Sequence, residues 1–229
     1  MRIKSIVLGL AIAGALAFPA SAAGLVNAGF EAGDLTGWTF SEGFVQVVSF
    51  ADDATQDPIF GEHYLPTGGA YFAQLTAGVD VGVYSTLSQN FTLGGAGSVS
   101  GDAAFLAFDS APFNDDGYVR ILNTDTGALV YSLFASDVNT VGDFGHTDWT
   151  HFTSGLLGAG TYTLEAGVRN NLEDGDNSVP SQILVDSFAV TDAGPGGIPE
   201  PASWMLMILG FGGLGAMLRA RRRAAGQPV

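Results

Sequence analysis

Cysteine is absent from the 229 residues, which excludes disulfide support and thiolate chemistry. Basic side chains are almost as scarce. Between residues 23 and 197 there is no lysine, and the only arginines are Arg120 and Arg169. Of the 23 acidic residues only Glu200 falls outside that span, so 22 carboxylates face two guanidiniums and the formal charge there is −20. A surface of that sign repels phosphate backbones, which excludes nucleic acid as a partner. No Gly-x-Ser-x-Gly elbow occurs. The three histidines, His63, His146 and His151, do not form a helical zinc pair, and the last two flank Asp148-Trp149 as loop and strand-surface residues. Among 22 carboxylates some pair will have hydrolase-like spacing by accident, so acid count alone is no sign of glycoside hydrolysis.

Glycine, by contrast, is abundant at 33 residues, alongside 47% hydrophobic and 11% aromatic residues. Short apolar or alternating stretches recur at 44–50, 70–76, 84–93, 98–108, 117–122, 128–134, 149–153, 161–168 and 181–190, separated by Gly, Asn and Asp turns. That pattern predicts an all-β domain, a β-sandwich or jelly roll, over residues 23–193 with no substantial helix. Residues 52–69 and 142–148 are expected as long loops. Residues 194–198 form a Gly/Pro linker.

The two ends carry addresses. Arg2 and Lys4 precede an apolar run from Ile6 to Phe18 and then Ala20-Ser21-Ala22, the pattern of a signal peptide cleaved after residue 22. The run is shorter than the ~20 residues of a spanning helix. At the other end Ala202 to Leu218 is apolar and uncharged, and Arg219, Arg221, Arg222 and Arg223 follow. Positive residues remain on the cytoplasmic side, so a transmembrane helix at 202–218 would leave the domain outside the inner membrane. Residues 224–229 form a short tail.

Pro199-Glu200-Pro201, Trp204, the Gly-rich apolar segment and the Arg cluster, in that order, resemble the PEP-CTERM sorting signal over 199–223. The resemblance implies processing by an exosortase of a Gram-negative bacterium, with transient anchoring and delivery of the domain to the outer surface or matrix. A second resemblance begins at Asn27-Ala28-Gly29-Phe30-Glu31-Ala32-Gly33-Asp34 and continues to Gly37-Trp38. It is similar to the opening of galactose-binding-like jelly rolls, including carbohydrate-binding modules, whose last strand ends in a stretch like Ile183-Leu184-Val185-Asp186, and the resemblance implies that Trp38 is core.

What this second resemblance implies is a structural calcium ion held by Glu31 and Asp186, with the Gly33 carbonyl or Asp34 as further ligands. Calcium takes six to eight hard oxygens in flexible geometry, which suits carboxylates from both ends of a domain. The acidic stretches 114–117 and 170–177 do not match a helical calcium loop and are read as solvated turns. For sugar binding, aromatic faces would stack on rings, and Tyr64, Tyr71, Phe113, Tyr118 and Trp149 are the candidates. The expected protein is a secreted or surface-displayed, non-catalytic binder of extracellular or biofilm polysaccharide. The alternatives are a calcium-bridged adhesive matrix protein and an extracellular polysaccharide hydrolase.

Overall fold

The computed structural model describes residues 24–41, 43–54, 63–78, 80–171, 180–192 and 211. The signal peptide 1–22, the linker 194–198, the helix 202–218 and the tail 224–229 lie outside the described residues, Phe211 excepted, as do Pro199, Glu200, Pro201, Trp204 and the Arg cluster. Among the described residues no helix is long and apolar enough to cross a membrane.

The domain is a jelly-roll β-sandwich of two five-stranded antiparallel sheets. One has the order β1 (Thr39–Ser41), β6 (Tyr84–Leu93), β11 (Gly160–Arg169), β8 (Asp116–Asn123) and β9 (Leu129–Asp137). The other has the order β10 (Thr150–Thr153), β7 (Gly97–Leu106), β12 (Gln182–Asp192), β5 (Phe72–Thr76) and β2 (Phe44–Val48). These are called here the front and back sheets. A two-stranded ribbon, β3 (Ala51–Asp52) with β4 (His63–Tyr64), completes the set. The nine predicted strand segments all appear. Three short strands were not predicted, because two or three residues cannot display a period. Of the ribbon's two strands, β4 lies within the expected loop 52–69 and β3 straddles its start.

The main core lies between the sheets and follows the two-residue period of a strand. Leu164, Ala166 and Val168 of β11 point inward with Val119 and Ile121 of β8, all at most 2% exposed. Trp38 is buried as expected, its ring 5.3 Å from Phe30 and 5.4 Å from Phe188, while its indole N–H donates to the Asn27 carbonyl at 3.2 Å. A single helical turn, α1 (Val138–Val141), follows β9; the Asp137 carboxylate accepts from Thr140 N–H at 2.7 Å and caps it.

The back sheet is apolar on its outer side as well. Phe72, Ala104, Leu106 and Leu184 form a second cluster with Ala51 of β3 and Tyr64 of β4, joined by the partly buried Trp149. The ribbon therefore roofs the back sheet.

Candidate functional site

Among the described residues no element roofs the front sheet's outer face. In β11 the residues between the core positions, Glu165, Gly167 and Arg169, face outward. In β8 the outward positions are Asp116, Tyr118 and Arg120. The register sets Glu165 opposite Arg120, Gly167 opposite Tyr118, and Arg169 opposite both Asp116 and Tyr84 of β6. Opposite charges directly across an antiparallel pair attract, so the strands deliver two ion pairs side by side.

Each ion pair is built on a tyrosine. Arg169 Nε–H donates to Asp116 Oδ1 at 2.6 Å, the Tyr84 hydroxyl donates to Asp116 Oδ2, and the Arg169 guanidinium lies 4.7 Å over the Tyr84 ring. In the second set Arg120 Nε–H and the Tyr118 hydroxyl donate to Glu165 Oε1 at 2.9 and 2.8 Å, and the guanidinium lies 4.2 Å over the Tyr118 ring. The two rings meet edge to face at 4.8 Å. A side chain is excluded at Gly167, where a Cβ would fall 2.6 Å from Tyr118 Cζ; the bare backbone is the floor under that ring. Burial, reinforced by the bond to Asp116, pushes the Tyr84 hydroxyl up to about 12. Tyr118 is pushed up further, by burial and then by Glu165. The bond to Asp116 raises Arg169.

Over these groups opens a cleft of about 540 Å³, bounded by β8, β9 and α1 and including Asn114, Ser132, Asp137 and Asn171. Ser136 also borders it, but on the inward face of β9 with Phe134, where its buried hydroxyl has no hydrogen-bond partner among the described residues. The arrangement can offer donors and acceptors to a polar ligand from fixed positions.

The predicted metal ligands lie at the other sheet, under residues 65–71. Asp186 is fully buried on β12, where a bulge places Ser187 at φ 53°. Its Oδ2 accepts from Thr67 N–H at 2.8 Å and Gly68 N–H at 3.2 Å, and its Oδ1 from Ser187 N–H at 2.6 Å. Glu31 accepts from Ala70 N–H and Tyr71 N–H at 3.0 and 3.1 Å. Its carboxylate occupies the space of a side chain at Gly69, where a Cβ would lie 2.2 Å from Oε1. Both acids border Gly29, whose Cβ position is 3.9 Å from Glu31 Cγ and 4.0 Å from Asp186 Oδ1.

Asp34 is not brought to them by any contact of its own carboxylate. That group is exposed and accepts from Thr36 N–H at 2.9 Å, which lowers its pKa. Among the described residues no three acidic, imidazole or thiol groups are grouped to hold a metal.

The donor chemistry of the Glu31–Asp186 pair nonetheless suits a hard cation. Burial raises Asp186, against the pull of its amide donors. It also stands opposite a second carboxylate, Asp102, across β7 and β12, with the Thr67 hydroxyl 2.7 Å from Asp102 and 3.1 Å from Asp186. The groups bonded to Asp186 are neutral, so this buried negative charge would be relieved by a bound cation.

The five aromatic candidates are dispersed. Only Tyr118 belongs to the cleft, and it is 9% exposed. Tyr64 is 2% exposed and its hydroxyl donates to the Thr147 carbonyl at 2.6 Å. Trp149 packs edge-on against Phe72 and donates its indole N–H to the Leu65 carbonyl at 2.9 Å. Tyr71, 38% exposed, lies beside Gly33, and Phe113 sits half-buried in a turn with its N–H bonded to the Ser110 carbonyl. Each histidine faces an aspartate: His63 with Asp52 at 2.5 Å, His146 with Asp53 at 3.4 Å and His151 with Asp102 at 2.8 Å. Tyr84, Asp116, Arg120, Glu165 and Arg169 were missed from the sequence. The signal that would have found them is scarcity, because the two arginines are the only basic residues between 23 and 197.

Residues 197–223 match the model of the PEP-CTERM protein-sorting motif, which marks a secreted protein with a C-terminal sorting signal. No curated protein matches the chain. Among solved structures, the chain is similar to TmCBM61 in complex with β-1,4-galactotriose, at 17% identity and TM-score 0.43, over 72% of this chain and 95% of that one. It is also similar to a cleaved adhesin domain of Lys-gingipain from Porphyromonas gingivalis, at 16% identity and TM-score 0.44, over 74% and 99%. A third is the CBM22-1 xylan-binding domain of Paenibacillus barcinonensis Xyn10C, at 18% identity and TM-score 0.38, over 71% and 89%. Overlaps this distant leave function to be argued from the chain's own residues.

Proposed function

We propose that this protein is exported by its signal peptide, held and processed through its PEP-CTERM tail by an exosortase, and acts at the outer surface or in the matrix as a non-catalytic carbohydrate-binding protein. Its ligand is polysaccharide of the envelope or biofilm. The observation that carries the binding reading is the front-sheet cleft, where Tyr84–Asp116–Arg169 and Tyr118–Glu165–Arg120 hold charged donors and acceptors in place under about 540 Å³ of open space. Polar groups fixed in a cleft are what orient a hydroxyl-rich ligand. The sorting motif supports an extracellular workplace.

Binding is tested by calorimetry of the full chain, in a non-glycosidic detergent, against polysaccharide extracted from the producing cells. Heat that saturates in the parent and is lost in the double variant Arg120→Gln/Arg169→Gln supports the reading; absence of heat with the parent overturns it.

The buried, uncompensated charge of Asp186 favours a second component, calcium held by Glu31 and Asp186 with loop carbonyls and without Asp34. When bound, the ion supplies positive charge between two chain ends and favours the folded state by mass action. In an adhesive matrix protein the same ion would also relieve the −20 charge and bridge neighbours. Calcium is expected to raise the thermal midpoint of the parent and not that of Glu31→Ala. Self-association that requires calcium and ignores added sugar would favour the adhesive reading over the carbohydrate one.

A further inference from the structure

The cleft's aromatic rings are not free for a sugar to stack on. Tyr118 has the Gly167 backbone on its ring and the Arg120 guanidinium 4.2 Å from its centroid, and it is 9% exposed. Tyr84 carries Arg169 at 4.7 Å and abuts Tyr118 at 4.8 Å. Recognition in this cleft therefore runs through hydrogen bonds.

The charges there are balanced on the negative side. Arg120 and Arg169 face Glu165 and Asp116, and Asp137 stands at the rim, so two guanidiniums meet three carboxylates within a domain of formal charge −20. An anionic ligand would find each guanidinium already engaged through Nε and would enter a repulsive field.

Unspent hydrogen-bonding capacity remains, of both polarities. The bonds from Tyr118 and from Arg120 Nε and Nη2 all end on Glu165 Oε1, and none of them uses Oε2. A guanidinium has five N–H donors, so Arg120 and Arg169 retain donors beyond those committed to the carboxylates. Ser132, exposed and opposite Arg120 across β8 and β9, adds a hydroxyl at the cleft. Donors and acceptors side by side complement vicinal hydroxyls, which both give and accept a hydrogen bond, and do not complement a carboxylate or sulfate, which only accepts.

From this we infer that the cleft takes an uncharged glycan, read by its hydroxyls against the Arg120–Glu165 and Arg169–Asp116 pairs, and rejects uronate and sulfated polymers. The inference rests on the carbohydrate reading and narrows its ligand class.

The test is calorimetry of the full chain in a non-glycosidic detergent with neutral hexose and pentose oligosaccharides and with oligouronates of equal length, at low and high salt. A neutral oligosaccharide is expected to bind with little salt dependence and the oligouronates not to bind. Glu165→Gln, which keeps the shape and removes a charge, is expected to weaken the neutral ligand about tenfold. Ser132→Ala removes an exposed hydroxyl at the cleft, so it is expected to leave the thermal midpoint in place and lower affinity severalfold. It keeps the inference testable if Glu165→Gln unfolds. Salt-sensitive binding of an oligouronate overturns the inference and leaves the carbohydrate reading standing. Neutral binding untouched by both variants overturns the assignment to this cleft. If no oligosaccharide of either kind binds, the inference and the carbohydrate reading fall together.

Discussion

On the front sheet's outer face Glu165, Arg169 and Arg120 keep side chains 16%, 31% and 36% exposed, whereas on the back sheet's outer face Phe72 and Leu184 are fully buried under the β3–β4 ribbon. Both sheets turn an apolar face to the shared core. They part company in what the alternate positions carry: the back strands place Phe72, Ala104, Leu106 and Leu184 there and must be covered, while the front strands place paired charges and tyrosines and remain open. Within one sandwich, then, the second face of each sheet is a free variable. One is used for stability and for anchoring residues 65–71, the other for presenting polar groups.

That contrast breaks most visibly at the roof. Phe72→Ala empties a fully buried position in the second cluster and is expected to cost about 3–5 kcal/mol in urea denaturation, as large-to-small changes of a buried phenylalanine do. Ligand affinity of the folded fraction should not change, since the cleft lies on the other sheet. An affinity loss in parallel would mean that the two faces are not independent.

Next comes the anchor under the roof. Asp186→Ala strips the acceptor from the amides of Thr67, Gly68 and Ser187, and a loss of about 2–3 kcal/mol is expected from these unsatisfied donors. Hydrogen exchange should accelerate at 67 and 68 before it does in β8 or β11. Uniform acceleration would show that Asp186 holds the whole sandwich and not this segment.

On the open face, Gly167→Ala drives a methyl into the Tyr118 ring and should cost about 1–3 kcal/mol by overpacking. Its signature is spectroscopic. Because the folded-state values of Tyr84 and Tyr118 are raised, the stability linked to their protonated forms is present below pH 10 and is lost as pH rises through about 12 for Tyr84. Absorbance titration of the parent should therefore leave Tyr84 and Tyr118 un-ionised at pH 11. In the variant at least one of them should titrate earlier.

The smallest effect is expected at Asp115, at the end of β8. Among the described residues its Oδ2 is buried without a hydrogen-bond partner, and burial raises its pKa above 3.8. A raised acid favours folding below its unfolded value and loses that contribution as pH rises through its folded value, so the charge opposes folding at neutral pH. Asp115→Asn should gain up to about 1 kcal/mol on the parent as pH climbs from 3.8 toward neutrality, read by denaturation at each pH. No change in slope would mean that Asp115 is already neutralised.

Much of the sandwich was legible in advance because long strands announce themselves. The segment Thr161 to Val168 alternates tyrosine, leucine, alanine and valine with threonine, glutamate and glycine, and β11 occupies Gly160–Arg169. Trp38 was legible as core because it closes a motif whose neighbours, Phe30 and the Asn27 carbonyl, it contacts. The binding aromatics were less legible, since a tyrosine's type does not say which face of a strand it takes or what covers it. Tyr64 and Trp149 are bound into the second cluster, which exists only because β3 and β4 fold over the back sheet. Tyr84 and Arg169, which the sequence did not mark as site residues, face each other across β6 and β11 from positions 85 residues apart.

The sequence by itself determined the sorting motif at residues 197–223, the all-β class, the turns and the inward stripe of each long strand, because these depend on local motif, on composition and on a two-residue period that any short window displays. Only the tertiary structure decided which outer face is roofed, which carboxylate meets which arginine, and that Glu31 and Asp186 border the same glycine. Those pairings follow from strand register, and register is fixed by how distant apolar stripes pack into one core.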